Sequence, residues 1–154
     1  MGSVSTGSST ARRVLVVEDE QPAIRLYQEA FSELDSATEL TVARDGETAL
    51  EVLFDGESTQ EGPDVVILDI ELPGIDGTEV LRRIRDDDTL AELPVVIVSN
   101  TADQAIIDEC YQLGVNAYLR KPDDYDGLLN IVREVGSFWV REEVQLPTQG
   151  FPAS

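Results

Sequence analysis

Histidine is absent from this chain of 154 residues, and cysteine and lysine occur once each, as Cys110 and Lys121. The lack of histidine excludes imidazole metal ligands, histidine general bases and a phosphorylated histidine within the chain. A single cysteine excludes an intramolecular disulfide and a cysteine-ligated metal site. Because Cys110 falls within a helical pattern, we predict that it is an inert core residue.

Long apolar runs are also missing, since none approaches the length needed to span a bilayer. The N-terminal segment 1–13 lacks the apolar centre of a signal peptide. Together these two absences predict a cytoplasmic protein with no membrane partner.

Basic residues are few, because 11 Lys and Arg stand against 31 Asp and Glu and give a net charge of −20. The acidic residues are spread along the chain, so direct binding to nucleic acid, which relies on clustered cations, is excluded. The scarcity of lysine favours a halophilic protein from a salt-loaded cytoplasm over an ordinary acidic one. Added salt would then screen the self-repulsion. A melting temperature that is equal in dilute buffer and in molar KCl would contradict this hypothesis.

Apolar strands alternate with amphipathic helices along the chain. Strands are predicted at 13–17, 39–43, 64–68, 94–98 and 117–119, and helices at 21–34, after 46, after 77, at 103–113 and at 125–139. This alternation predicts an α/β fold: a flavodoxin-like three-layer sandwich of five βα units with a parallel sheet in the order 2-1-3-4-5. One domain would cover residues 12–140, between a flexible N-terminal arm, residues 1–11, and a C-terminal tail, residues 141–154.

Polar groups follow four of the predicted strands. Glu18 and Asp19 follow strand one, Asp69 follows strand three, Ser99 follows strand four and Lys121 lies just beyond strand five. Open α/β sheets bind ligands at this carboxyl edge, and such groups together can hold a divalent cation and a phosphoryl group. Lys121 is the one lysine beside ten arginines, and its compact ammonium suits contact with a single phosphate oxygen.

In this order and strand context, these residues resemble the receiver domain of response regulators in two-component signalling. The residues that carry the resemblance are Glu18-Asp19, Asp69 within segment 68–77 (LDIELPGIDG), Ser99 and Lys121-Pro122. The resemblance covers about residues 13–140. It implies a stand-alone regulator similar to the cyanobacterial phytochrome response regulators, with protein–protein contact as its output.

The resemblance implies that Asp69 accepts a phosphoryl group from a phosphohistidine of a sensor histidine kinase or a histidine phosphotransfer protein. It also implies a Mg²⁺ ion held by the side chains of Glu18, Asp19 and Asp69 and by the backbone carbonyl of Glu71. The side chain of Glu71 would tune the hydrolysis rate. The protein would therefore be a signalling protein and not an enzyme, with only slow Mg²⁺-dependent self-phosphorylation and autodephosphorylation.

The resemblance also implies a switch. Lys121 and Ser99 would contact the phosphoryl group, and Tyr118 would turn inward as the loop after strand four closes. The surface of helix four, strand five and helix five would change and be read by a downstream protein that the sequence does not identify. This surface could also form a homodimer together with the tail, and Trp139 on helix five is either an interface anchor or a residue that closes the core.

Three positions qualify the resemblance. Asn100 stands where the family usually has a small residue, and this larger side chain could narrow access to the site. Glu18 replaces the more frequent Asp. Pro122 matches a proline whose preceding peptide bond is often cis in the family, and the sequence leaves the isomer open.

Three rival interpretations differ in class. A Mg²⁺-dependent phosphatase of the haloacid-dehalogenase type uses similar residues, but its acidic pair comes last in the chain and it has Asp in place of Glu71. A flavodoxin-like nucleotide binder would need a glycine-rich phosphate loop, and neither the loop after strand one nor the loop after strand three is rich enough in glycine. A phosphate sink, which drains phosphoryl groups from a shared kinase without any output, cannot be separated from signalling by the sequence.

Overall fold

The computed structural model describes residues 12–34, 38–54 and 62–140, except for the side chains of residues 137–140. In this part of the chain five strands alternate with five helices. The strands are β1 (Arg12–Val17), β2 (Thr38–Ala43), β3 (Val65–Leu68), β4 (Val95–Ser99) and β5 (Ala117–Arg120). The helices are α1 (Gln21–Ser32), α2 (Gly46–Phe54), α3 (Gly77–Asp86), α4 (Gln104–Gln112) and α5 (Tyr125–Val140). The predicted arm, the predicted tail and the side chain of Trp139 lie outside the described residues, so the expectations for them stay predictions.

The described strands form one parallel sheet in the order β2-β1-β3-β4-β5, as predicted. Strand β1 pairs with β3 in a register that sets Val17 beside Leu68. Backbone bonds continue the pairing past the strand ends, since the Asp69 N–H donates to the Val17 carbonyl at 3.1 Å. The register therefore places Asp69 next to the acidic residues that follow β1, between the two strands at which the strand order reverses.

Both faces of the sheet are covered, which explains why β3, β4 and β1 from Val14 onward are almost continuously apolar. Successive residues of β1 enter different cores: Val16 packs with α1 and α5, while Leu15 packs with α2, α3 and α4. Cys110 is fully buried in the second core, where burial raises the pKa of its thiol to about 11. The three-layer arrangement is confirmed, and so is the core position of Cys110.

Capping residues fix where the helices begin and end. Pro22 lies in the first turn of α1, where its missing N–H costs nothing. Asp76 and Asp103 accept hydrogen bonds from backbone N–H groups in the first turns of α3 and α4, as helix N-caps do. Gly114 has a φ of +93° just past α4, which confirms the predicted C-terminal cap.

No described helix is both long enough and apolar enough for a bilayer span.

One arginine of α3 differs from its predicted orientation. The apolar spacing of α3 predicts that its arginines face solvent, but Arg85 is half-buried. Its guanidinium donates to the carbonyl oxygens of Leu93 at 2.8 Å and of Gly114 at 2.8 and 3.0 Å, and to the Asn116 side chain at 3.1 Å. The long aliphatic stem lets the charged group reach loops that a helical pattern does not identify. Arg85 thus ties together the loops at the amino edge of the sheet.

Candidate functional site

The loops after β1 and β3 bring three carboxylates together at the carboxyl edge of the sheet. Glu18 and Asp69 are almost fully buried, at 1% and 5% exposure, and Asp19 is half-buried. One carboxylate oxygen from each lies within 4.8 Å of the others. Buried carboxylates are costly unless cations or hydrogen bonds offset their charge. This cluster, predicted from the strand ends, is therefore suited to hold a hard divalent cation through oxygen ligands.

Lys121 lies between the two buried carboxylates. Its Nζ is 3.0 Å from Glu18 Oε1 and 3.1 Å from Asp69 Oδ2, and Glu20 Oε1 lies further out at 3.6 Å. Burial opposes the charge on Lys121, but the hydrogen bond to Glu18 and the charges of Asp69 and Glu18 outweigh it and raise the pKa of the ammonium. The pKa of Glu18 is raised as well, because its burial outweighs the contact with Lys121. Three carboxylates thus surround one ammonium.

The loop between β3 and α3 holds Asp69 in place. The Glu71 N–H donates to Asp69 Oδ1 at 3.2 Å, and the Gly77 N–H donates to the Ile70 carbonyl at 2.9 Å. A Cβ atom on Gly77 would overlap the Asp69 carbonyl oxygen. Only glycine lets the first turn of α3 approach the loop so closely. Sequence reasoning did not assign this role to Gly77, although the turn-rich segment before α3 was a signal for it.

Ser99 ends β4 and is buried, at 1% exposure. Its Oγ accepts a hydrogen bond from the Thr101 N–H at 3.1 Å, and its carbonyl accepts one from the Lys121 N–H at 2.9 Å. The backbone therefore fixes Ser99 beside the residue that contacts Asp69. Because the Ser99 oxygen accepts from Thr101, its own hydrogen points to another acceptor, and the Tyr118 hydroxyl oxygen is one within reach.

Tyr118 and Thr101 connect β5 to the loop before α4. The Tyr118 hydroxyl donates to the Thr101 carbonyl at 2.7 Å, and the half-buried ring packs against the α3–α4 side of the core. The Thr101 hydroxyl donates to Glu71 Oε2 at 2.9 Å. Sequence reasoning missed Thr101, because a threonine in a polar loop gives no pattern that names its partner.

Two further predicted positions lie in the loops around the site. The described residues contain no cis peptide bond, so the bond before Pro122, which the resemblance left open, is trans. Asn100 is exposed in the loop after β4. Its predicted effect on access to the site stays a prediction.

Comparison with known proteins identifies the family. The model of the response regulator receiver domain matches residues 14–133. The chain belongs to the response regulator receiver family. It is 34% identical over 146 residues to the response regulator Rcp1 of Synechocystis, and the aligned region covers 94% of this chain and 99% of that protein. It is also 33% identical over 128 residues to a probable methanogenesis regulatory protein, FilR2, of Methanothrix harundinacea, covering 82% of this chain and 83% of that protein.

Solved receiver structures share the fold over most of the chain. The phosphorylated cyanobacterial phytochrome response regulator RcpA superposes with a TM-score of 0.79 at 36% identity, covering 89% of this chain and 99% of that one. The Mn²⁺-bound form of Rcp1 superposes with a TM-score of 0.77 at 33% identity, covering 88% and 99% of the two chains. This receiver is therefore a signalling protein of two-component phosphorelays, in which histidine kinases are the phosphodonors. Family membership decides against the phosphatase and the nucleotide binder.

Proposed function

We propose that this receiver accepts a phosphoryl group on Asp69 from the phosphohistidine of a sensor histidine kinase or histidine phosphotransfer protein. The observation that carries the proposal is the contact of Lys121 with both buried carboxylates, Glu18 and Asp69, at 3.0 and 3.1 Å. A purely structural ion pair needs one carboxylate for each ammonium. Here the excess of negative charge calls for a second cation, as the acceptor site of a phosphorelay requires.

Mg²⁺ is the proposed cation, and the donor set fits it. The side chains of Glu18, Asp19 and Asp69 and the carbonyl of Glu71 would hold the ion. These are hard oxygen ligands, and the half-buried Asp19 leaves the site open to the water ligands that Mg²⁺ usually keeps. When bound there, Mg²⁺ supplies positive charge that offsets the carboxylates and the phosphoryl oxygens.

Transfer converts the Asp69 carboxylate into an aspartyl phosphate. One carboxylate oxygen attacks the phosphorus atom, an O–P bond forms, and the P–N bond to the donor imidazole breaks with its electron pair going to the nitrogen. Lys121, already within hydrogen-bond distance of Asp69, would neutralise a phosphoryl oxygen, and the Ser99 hydroxyl would donate to another. Hydrolysis reverses the state, because water attacks the phosphorus and releases inorganic phosphate and the free carboxylate.

The proposed output is a changed surface made by α4, β5 and α5. Tyr118 supports this, since its side chain contacts the loop before α4 while its backbone belongs to β5. The similarity over nearly the full length of RcpA and Rcp1 supports a stand-alone regulator that acts through protein contacts, with dimerisation through this surface as one route. A phosphate sink needs no change at this surface. Size-exclusion chromatography with light scattering, and hydrogen exchange over α4 and β5, with and without beryllium fluoride and Mg²⁺, test for the change, and a surface that stays the same favours the sink.

Intact-mass spectrometry tests the acceptor. After incubation with acetyl phosphate and Mg²⁺, the chain should gain the mass of one phosphoryl group. The gain should disappear in Asp69→Asn and in the presence of a chelator, and it should persist in Asp88→Asn, a matched change at an exposed position. Failure of the folded wild-type chain to gain this mass, from acetyl phosphate and from purified kinases alike, would contradict the proposal.

A further inference from the structure

Thr101 is the point where three elements of the site meet. Its hydroxyl donates to Glu71 Oε2 at 2.9 Å, its carbonyl accepts from the Tyr118 hydroxyl at 2.7 Å, and its N–H donates to Ser99 Oγ at 3.1 Å. Glu71 belongs to the loop that carries Asp69, whereas Ser99 ends β4 and Tyr118 lies in β5. One residue therefore links the acceptor loop to both predicted switch residues.

Tyr118 extends this connection along α4. Its backbone N–H donates to the Tyr111 hydroxyl at 3.2 Å, and Tyr111 lies near the end of α4. Its own hydroxyl reaches Thr101, three residues before α4 begins. Contacts from near both ends of α4 thus converge on Tyr118. A shift of the loop at Thr101 therefore changes how β5 and α4 meet.

The three bonds of Thr101 differ in a way that makes them separable. The bonds to Ser99 and Tyr118 use backbone atoms of Thr101, whereas the bond to Glu71 uses its side chain. Hydrogen bonds to a charged group are stronger than neutral ones. Valine at this position removes the bond to Glu71 and keeps the shape of the side chain and both backbone bonds.

We propose that Thr101 is a positioning residue, whose hydrogen bond to Glu71 holds the loop before α4 against the acceptor loop and thereby keeps the Tyr118 ring inward. Inward here means half-buried, with the hydroxyl on the Thr101 carbonyl. The bond works before any phosphoryl group is present, so the closed arrangement of the loop is partly built into the unphosphorylated protein. Phosphorylation would then complete a closure that Glu71 and Thr101 have already begun.

A competing explanation assigns the ring position to packing alone. Tyr118 contacts the core on the α3–α4 side of the sheet, and a hydrogen bond to the exposed Glu71 carboxylate competes with water. If packing decides, loss of the Thr101 hydroxyl leaves the ring where it is. The two explanations therefore predict different behaviour of Tyr118 in one variant.

Fluorine NMR of the full chain labelled with 3-fluorotyrosine reads the ring directly. The chain has four tyrosines, and Tyr118→Phe assigns the resonance. In Thr101→Val, without metal or phosphodonor, the Tyr118 resonance should shift and its relaxation by a neutral gadolinium chelate in the solvent should increase. Thr101→Ser keeps the hydroxyl and should restore the wild-type spectrum. A Thr101→Val spectrum identical to wild type overturns the proposal.

Glu71→Ala removes the same bond from the other loop and serves as the second variant if Thr101→Val does not fold. It should shift the Tyr118 resonance in the same direction. The double variant should shift it no further, because the two changes abolish one interaction and cannot add. Additive shifts would overturn the proposal, since they would show that each residue acts on Tyr118 by its own route.

The inference deepens the proposed function. The role of Thr101 in the unphosphorylated protein stands by itself, and only the closure on phosphorylation rests on the proposed function. Beryllium fluoride with Mg²⁺, which mimics the phosphoryl group, should return the Tyr118 resonance of Thr101→Val to its inward position. If the apo comparison succeeds but the wild type gains no phosphoryl mass from acetyl phosphate with Mg²⁺, the proposed function fails while the role of Thr101 stands. If the wild type gains this mass but the apo Thr101→Val spectrum matches that of the wild type, the role of Thr101 fails alone.

Discussion

The two edges of the sheet both bury a cation, but they use it differently. At the carboxyl edge Lys121 is surrounded by carboxylates, two of them almost fully buried. At the amino edge the half-buried Arg85 donates to neutral carbonyl oxygens of Leu93 and Gly114. The first arrangement has more negative than positive charge. The second pairs the guanidinium with neutral hydrogen-bond acceptors.

The difference distinguishes polar groups that are buried to perform chemistry from polar groups that are buried to stabilise the fold. Carbonyl oxygens near Arg85 gain hydrogen bonds that water would otherwise provide, and the arrangement needs nothing further. Carboxylates near Lys121 are partly unbalanced, which destabilises the empty site and favours any cation that enters. We therefore expect substitutions of Lys121 at the carboxyl edge to abolish phosphorylation, and substitutions of Arg85 at the amino edge to lower stability while phosphorylation persists.

Lys121→Met should have the largest effect on both properties. It leaves Glu18 and Asp69 buried without their ammonium, and breaking a buried pair in this way typically costs about 3–5 kcal/mol. Urea denaturation at neutral pH measures the free energy of unfolding, and intact mass after acetyl phosphate treatment measures acceptance, which should be lost. An unfolding free energy within error of the wild type would show that the buried charges are not held by Lys121.

Arg85→Met should destabilise the protein by about 1–3 kcal/mol, since it removes the charge-assisted hydrogen bonds to the carbonyl oxygens of Leu93 and Gly114. Arg85→Lys should recover only part of the loss, because an ammonium cannot reproduce the planar fork of the guanidinium. Below the melting temperature both variants should still gain one phosphoryl group. Loss of phosphorylation in a folded Arg85 variant would contradict the separation of the two edges.

The carboxyl edge was predictable from the sequence, while the amino edge was not. Strand positions follow from apolar runs, and parallel strands bring their carboxyl ends to one edge, so Glu18, Asp69 and Lys121 had to converge. Their meeting requires only the strand order, which the alternation of strands and helices strongly restricts. The contacts of Lys121 at about 3 Å therefore agree with what the pattern alone indicated.

Arg85 and Thr101 show why the rest could not be predicted. Arg85 lies on a helix whose apolar stripe is clear, but its guanidinium reaches carbonyl groups 8 and 29 positions away in the chain. The partner of the Thr101 hydroxyl is likewise a loop residue 30 positions away. Long or polar side chains in loops choose partners by tertiary distance, and no local periodicity encodes that distance.

Mg²⁺ should stabilise the carboxyl edge selectively. A ligand at ten times its dissociation constant adds about 1.4 kcal/mol to the free energy of unfolding when it binds only the folded state. Wild type and Arg85→Lys should both show this increase in urea denaturation with added Mg²⁺, and Asp19→Asn should show much less. An equal increase in Asp19→Asn would indicate that the ion binds elsewhere on the acidic surface.

Asp69→Asn should give the smallest and most discriminating change in stability. It removes one surplus carboxylate and leaves Lys121 paired with Glu18, so in the absence of metal the protein should be as stable as the wild type or more stable, by up to about 1 kcal/mol. Urea denaturation with a chelator present measures this. Added Mg²⁺ should narrow the difference, because the wild type gains more from the ion than a variant that lacks one ligand. A strong loss of stability in Asp69→Asn would mean that the carboxylate of Asp69 is a structural partner of Lys121, and that the carboxyl edge resembles the amino edge after all.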